Sequence, residues 1–300
     1  MSNTITVATR KSALALAQCR AWLKELVSVH PGLQVVEHHV TTTGDVIVDR
    51  SLAEIGGKGL FVKEIEEAIL AGDADIAVHS LKDVPPRLMP KLVLSCFPKR
   101  ADPRDVVVTQ HGQRFEELRA GSRVGTSSLR RMAQLKQLRP DLEYIAIRGN
   151  VDTRLRKCEE GAVDAVVLAR AGLERLGLAD RATQTLSTDQ CLPAVGQGAL
   201  AIEQRAGDAH TLALLTPLQH FETALAVHAE RGVMLAVDGN CQAPVAAYAE
   251  RIGSDMRLRA MLAEPDGSKL RRTELSRSWP ASLDEAFAFG EQVGAILKSA

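Results

Sequence analysis

Apolar and polar positions change rhythm several times along this chain. Ile5-Thr6-Val7-Ala8 alternates as a half-buried strand does, and Ser12 stands where a cap opens a helix running to about Val29. His30-Pro31-Gly32 stops that helix, and residues 33–40 are extended again. Residues 41–59 hold few apolar positions and several glycines, among them Gly44, Gly56 and Gly57, which predicts a long mobile loop. Residues 60–71 then follow helical spacing, with Leu60, Ile65, Ala68 and Ile69 inward and Gly72 as the stop. Residues 75–79 and 92–97 read as short buried strands.

The alternation of strand and helix restarts beyond residue 100. Strands are expected at 105–109, 123–125, 143–147 and 163–168, and helices at 115–118, 127–138 and 150–160. Short apolar strands alternating with helices predict a parallel, doubly wound sheet. Residues 192–198 read as a crossing segment, and 200–203 as a strand returning to the first domain. From residue 221 the pattern changes to a long helix, three strands at 245–249, 256–264 and 269–276 around a Pro265-Asp266-Gly267 turn, and a final helix from about Ser282. The expected organisation is therefore an α/β domain over 1–98 with 199–220, a second α/β domain over 99–198, and a smaller α+β C-terminal domain over 221–300.

Composition narrows the function. The 300 residues are 45% hydrophobic and 25% charged, enough apolar material for a sizeable core. No apolar run reaches the roughly 20 residues of a spanning helix, and the stretch from Met1 to Val7 has no basic leader, so a cytoplasmic protein is expected. Lys+Arg and Asp+Glu both number 37, which argues against a polycation working on nucleic acid or an anionic membrane. The neutrality is uneven, however: residues 123–157 carry nine basic side chains against three acidic ones. The five cysteines are scattered without a C-x-x-C pair, so no metal site is expected, and most are read as core fillers.

The basic stretch has a pattern. Gly125-Thr126-Ser127-Ser128-Leu129-Arg130-Arg131 ends a strand and opens a helix with hydroxyls and two first-turn arginines. Arg148-Gly149-Asn150-Val151-Asp152-Thr153-Arg154 repeats the arrangement, with Asn150 as the cap and arginines on either side. Helix N-termini attract anions, and arginine adds fork-shaped donors. Ordinary capping accounts for either turn alone; two of them at strand C-terminal ends favour a polyanion site. Lys82 and Asp83 stand just past the buried strand 75–79. One account is a Ser80-x-x-Asp83 cap with His79 satisfied in the core; the other is a carboxylate that stabilises a cation or shuttles protons. Asp238-Gly239-Asn240-Cys241-Gln242 presents a thiol on a tight loop, and the residue pattern alone does not decide whether it reacts.

Seven segments, in order and over nearly the whole chain, resemble the porphobilinogen deaminase family. They are Ala8-Thr9-Arg10-Lys11-Ser12, Gly56-Gly57-Lys58-Gly59-Leu60-Phe61, the stretch from Ala77 to Pro85, the two arginine-bearing turns, the stretch from Leu192 to Gly198, and Gly239-Asn240-Cys241-Gln242. The resemblance implies that four porphobilinogen molecules are joined head to tail, with loss of ammonia, into hydroxymethylbilane. It implies a dipyrromethane cofactor in thioether linkage to Cys241 and a catalytic aspartate at Asp83. Lys82, Asp83, Thr126, Ser128 and Arg131 are implied to hold the cofactor. Arg10, Ser12, Lys58, Phe61, Ser127, Arg130, Arg148, Arg154 and Gln197 are implied to hold substrate, and the loop over residues 41–59 is expected to close over the site and exclude water. The resemblance also implies first and second domains like those of periplasmic binding proteins, and a monomer. Each pyrrole carries an acetate and a propionate, so the growing chain is the polyanion for which such donors are suited. A non-catalytic two-lobed binding protein for a small polycarboxylate is the alternative, and Cys241 is the residue that separates the two.

Overall fold

The computed structural model describes residues 3–46, 61–238 and 244–299, which leaves Lys58, most of the expected loop and Cys241 outside the described residues. The chain divides into two compact units, Met1–Arg100 with Ala199–Ala224, and Ala101–Gly198 with Leu225–Ala300.

In the first unit, β1 (Thr4–Arg10) pairs in parallel with β2 (Gln34–Val40) on one side and β3 (Ile76–Ser80) on the other. The returning strand, β10 (Leu200–Arg205), enters between β3 and β4 (Leu92–Cys96) and runs antiparallel to both. The return was expected; the direction was not, because an apolar strand reads the same either way. The sheet is therefore mixed. Ser12 caps the helix Ala13–Val29, its Oγ accepting from Ala15 N–H at 3.3 Å. That helix buries Cys19, Trp22, Leu23 and Leu26 on the face formed by Ile5, Val7, Ile76 and Val78. The helix Lys63–Ala71 covers the opposite face, setting Ile65 and Ile69 against Ala8, Ala77 and Leu92. It ends at Gly72 with φ 85°, a left-handed stop. A short helix, Thr43–Val46, opens the stretch expected to be loop, and a side chain at Gly44 would run into the Phe61 ring.

The second unit repeats the mixed pattern. Its first sheet contains β5 (Asp105–Thr109), β6 (Arg123–Gly125), β7 (Glu143–Ile145), β8 (Ala165–Ala169) and β9 (Gln184–Thr185) in the order β7-β6-β8-β5-β9. β6 lies parallel to β7 and β8, while β5 runs against β8 and β9. The helix Arg170–Arg175 and the two-residue β9 were not foreseen, being too short for a period to show. The remainder is an α+β layer: the antiparallel sheet β11 (Val245–Ile252), β12 (Asp255–Leu262) and β13 (Arg271–Ser278) with the helices Phe221–Ala236 and Leu283–Ser299. Val233, Met256, Leu258, Phe289 and Val293 form its core. The two helices touch through glycines, since a Cβ on Gly290 would meet the carbonyl of Ala229 and one on Gly294 that of Val233. Among the described residues no helix is long and apolar enough to cross a membrane, and no cluster of His, Cys, Asp and Glu could hold a metal ion.

Candidate functional site

β1 and β3 run side by side and finish at the same edge, at Arg10 and Ser80. A cleft opens there, lined by Arg10, Ser12, Phe61, His79, Ser80 and Asp83 among others. Arg10 stacks on the Phe61 ring, 4.3 Å from its centroid, which orients the guanidinium. Ser12, expected on the site, reaches it while capping its own helix. This unit therefore gathers Arg10, Ser12, Phe61 and Asp83 from separate segments.

Asp83 owes its position to its neighbours. After Ser80 the chain makes a single turn, Leu81–Asp83, closed by Val84 N–H donating to Leu81 O at 3.0 Å. Leu81 N–H donates to Ala199 O at 3.0 Å, and Leu81 and Val84 are both 1% exposed. Two buried anchors thus hold Lys82 and Asp83 half-buried between them. Ser80 forms no side-chain cap on the turn; its Oγ donates instead to Gln18 Oε1 at 2.7 Å. His79 is satisfied as the simpler account expected, Nε2 lying 2.8 Å from Glu203 Oε2, yet its ring also borders the cleft.

The arginine-bearing turns lie in the second unit. Ser128 caps the helix Leu129–Leu138, accepting from Arg131 N–H at 3.4 Å. Thr126 Oγ1 accepts from Ser128 N–H, and Ser127 Oγ donates to Ile147 O at 2.6 Å. Arg130 and Arg131 then turn inward, not outward, onto a residue the sequence reading passed over. Asp105 heads β5 fully buried, its Oδ2 accepting from Arg130 Nη2 at 2.8 Å and its Oδ1 from Arg131 Nη2 at 2.7 Å. Burial alone would push this carboxyl up, but the two facing guanidinium groups override it and hold Asp105 well below the usual carboxylate range. Arg130 spends four N–H groups on Cys191 Sγ, Leu192 O, Asp105 and Gln197, so this site residue is an interior one. Gln197, 1% exposed, likewise donates to Pro103 O and Asp105 Oδ1. Arg131 uses three of its five donors, two on Asp105 and one on Val167 O. The one signal for Asp105 was a lone carboxylate heading an otherwise apolar strand.

The second turn is built differently. Gly149 takes φ 112°, and a side chain there would strike Thr153. Arg154 Nε donates to Gly149 O at 2.8 Å, and Lys157 Nζ to Arg148 O at 3.3 Å. Asn150 occupies the cap position of the helix Val151–Glu159 without a side-chain cap bond, which corrects its expected role. Arg148 Nη1 is buried without a hydrogen-bond partner, a donor in need of an acceptor.

Residues 5–213 match the family described as porphobilinogen deaminase, dipyromethane cofactor binding domain, and residues 224–299 match its C-terminal domain. A porphobilinogen deaminase of Sorangium cellulosum is 56% identical over 298 residues, covering 99% of this chain and 99% of that protein. One of Syntrophotalea carbinolica is 49% identical over 296 residues, covering 99% of this chain and 93% of that protein. The methionine-binding protein MetQ aligns at 15% identity with a TM-score of 0.46, over 74% of this chain and 94% of that one, too remote to speak for ligand or site. With both family domains matched and close relatives aligned end to end, the chain belongs to the porphobilinogen deaminase family.

Proposed function

We propose that this protein is a transferase of tetrapyrrole and heme biosynthesis that condenses four porphobilinogen molecules head to tail, releasing ammonia, into hydroxymethylbilane. The observation that carries the reading is Asp83, one carboxylate pinned by a buried turn at a cleft shared with Arg10. Family membership disfavours the non-catalytic binding protein.

The residues present fit a dipyrromethane, which bears an acetate and a propionate on each ring. Arg131, implied to hold it, keeps two of its five N–H groups after binding Asp105 and Val167 O. Held by a thioether to Cys241, the dipyrromethane supplies the pyrrole end to which the first substrate molecule joins. Lys82, Asp83, Thr126, Ser128 and Arg131 are the residues that would hold it, the cationic and hydroxyl groups suiting its carboxylates. Arg10, Ser12, Ser127, Arg148 and Arg154 bind the carboxylates of incoming rings, with Lys58 and Phe61 beside them. Arg130 and Gln197 serve this site from behind, by fixing Asp105 and through it Arg131. Asp83 stabilises the positive charge that develops on a pyrrole as ammonia leaves, a preorganised carboxylate being worth about 3–4 kcal/mol. The protein acts as a cytoplasmic monomer of three domains, without nucleic acid or membrane partners.

A denaturing mass spectrum tests the reading. Protein made in a porphobilinogen-producing host should exceed its sequence mass by two pyrrole units, and Cys241→Ala should abolish the excess. Sequence mass alone in the parent protein overturns the assignment.

A further inference from the structure

Behind the cleft lies a group of ionisable side chains that the reading above leaves without a task. β3 and β10 pair with Ala201 opposite His79 and Glu203 opposite Ala77, so His79 and Glu203 project from one face as diagonal neighbours. The helix Lys63–Ala71 covers that face and lowers Glu66 onto it. Glu66 is 4% exposed, His79 6% and Glu203 0%. Glu203 Oε2 meets His79 Nε2 at 2.8 Å, while Glu203 Oε1 is buried without a hydrogen-bond partner. Glu66 Oε1 accepts from Met89 N–H at 3.1 Å, and its carboxyl lies near enough to Glu203 to interact with it electrostatically. A protonated Glu66 would supply the donor that the buried Glu203 Oε1 lacks. Burial, foremost, and the nearby Glu203 push Glu66 up to about 7, against the pull of Met89 N–H and of His79.

We propose that Glu66, Glu203 and His79 form a one-proton store beneath the cleft, reaching the reacting rings through His79. This inference rests on the condensation reading above. Each condensation breaks the bond from the aminomethyl carbon to nitrogen and the C–H bond of a free pyrrole α-carbon, and it forms one C–C bond between those carbons. The C–N electron pair leaves with nitrogen, and the C–H pair returns to the ring. Nitrogen needs one proton to depart as ammonia, and the ring later surrenders one. A store that lends a proton and recovers it closes the cycle without net change. Of the three side chains only His79 lines the cleft, on which Asp83 also stands. Other charged groups on this face are Arg10 from β1, above Phe61, and Arg205 from β10, paired with Asp75 and Asp208; the segment before β4 supplies the Met89 N–H.

Glu66→Gln tests the store, because glutamine keeps the shape and the donor toward Glu203 but exchanges no proton. In holoenzyme the variant should bind porphobilinogen with unchanged KM and lose about 100-fold in kcat. The parent's fall in kcat as pH rises through neutrality should be missing from its profile. Infrared difference spectra, parent minus variant, should show a protonated carboxyl band that fades over the same pH range. His79→Gln should keep that band and lose turnover, since it cuts the store from the cleft. A kcat and pH profile matching the parent's in Glu66→Gln, or no protonated carboxyl in the parent at pH 6, overturns the proposal. The infrared reading does not depend on turnover, so a parent that shows the band but ignores porphobilinogen defeats the functional reading and not the store.

Discussion

Asp105 and Arg131 are joined twice through one oxygen, Oδ1 accepting from Nε at 3.0 Å and from Nη2 at 2.7 Å. Arg130 takes the other oxygen, and all three side chains are buried. Removing the carboxylate would strand two guanidinium charges, a loss of about 3–5 kcal/mol. Asp105→Asn should therefore lower the urea midpoint sharply and weaken cofactor retention with it. The folded carboxyl sits below its unfolded value, so its contribution is complete above the ordinary carboxylate range and disappears only as acid titrates the folded form. Parent stability from pH 5 to 8 should thus show no dependence from this group, as chemical unfolding across that range will reveal.

Asp83 is held by its backbone, through Leu81 and Val84, and not by its carboxylate. Asp83→Asn should leave the thermal midpoint and the cofactor mass unchanged while lowering kcat by about 100- to 1,000-fold. Steady-state rates near those of the parent would contradict the role given to it.

Arg148 has an idle buried donor before any ligand arrives. Arg148→Ala should cost no stability and should halt the growing chain at an intermediate length. Native mass spectrometry after a short pulse of porphobilinogen will count the rings retained.

Cys19 and Cys158 have thiols pushed up to about 11 by burial, and Cys96 and Cys191 to about 12. Alkylation of folded protein at pH 8 should spare all four. Cofactor-free protein should take up one label, at Cys241, and the cofactor-loaded form none.

Gly290→Ala places a methyl against the Ala229 carbonyl where the two C-terminal helices touch. Overpacking of this kind typically costs about 1–3 kcal/mol. The variant should unfold at lower urea with the active-site residues untouched.

Periodicity and punctuation made much of this legible in advance. Ser12 and Ser128 cap the helices they precede, Gly72 stops its helix left-handed, and the last three strands fall where alternation put them. Strand direction was not legible, because the apolar pattern of β5 or β10 is unchanged when the strand is reversed. Nor was the inward turn of Arg130 and Arg131, which depends on Asp105 and Gln197, residues far from them in sequence and decisive only once folded. Glu66 was hidden for a similar reason: on a helix with three glutamates in its first five residues it reads as solvent-facing until β3 and β10 lie beneath it. Asp83, by contrast, stood out through its motif, and its anchors Leu81 and Val84 are local.

The place of β10 between β3 and β4 has a consequence for the order in which the protein is made. A chain emerging from the ribosome has completed four strands of its first sheet by Cys96, yet the position joining β3 to β4 stays vacant until residues 200–205 appear. Until then β3 and β4 present bare edges. The nascent first unit must wait, guarded or half-formed, while an entire second sheet is synthesised, and the same late strand delivers the Glu203 partner of His79. Maturation of the cleft is thus tied to a segment that leaves the ribosome about a hundred residues after the walls it completes.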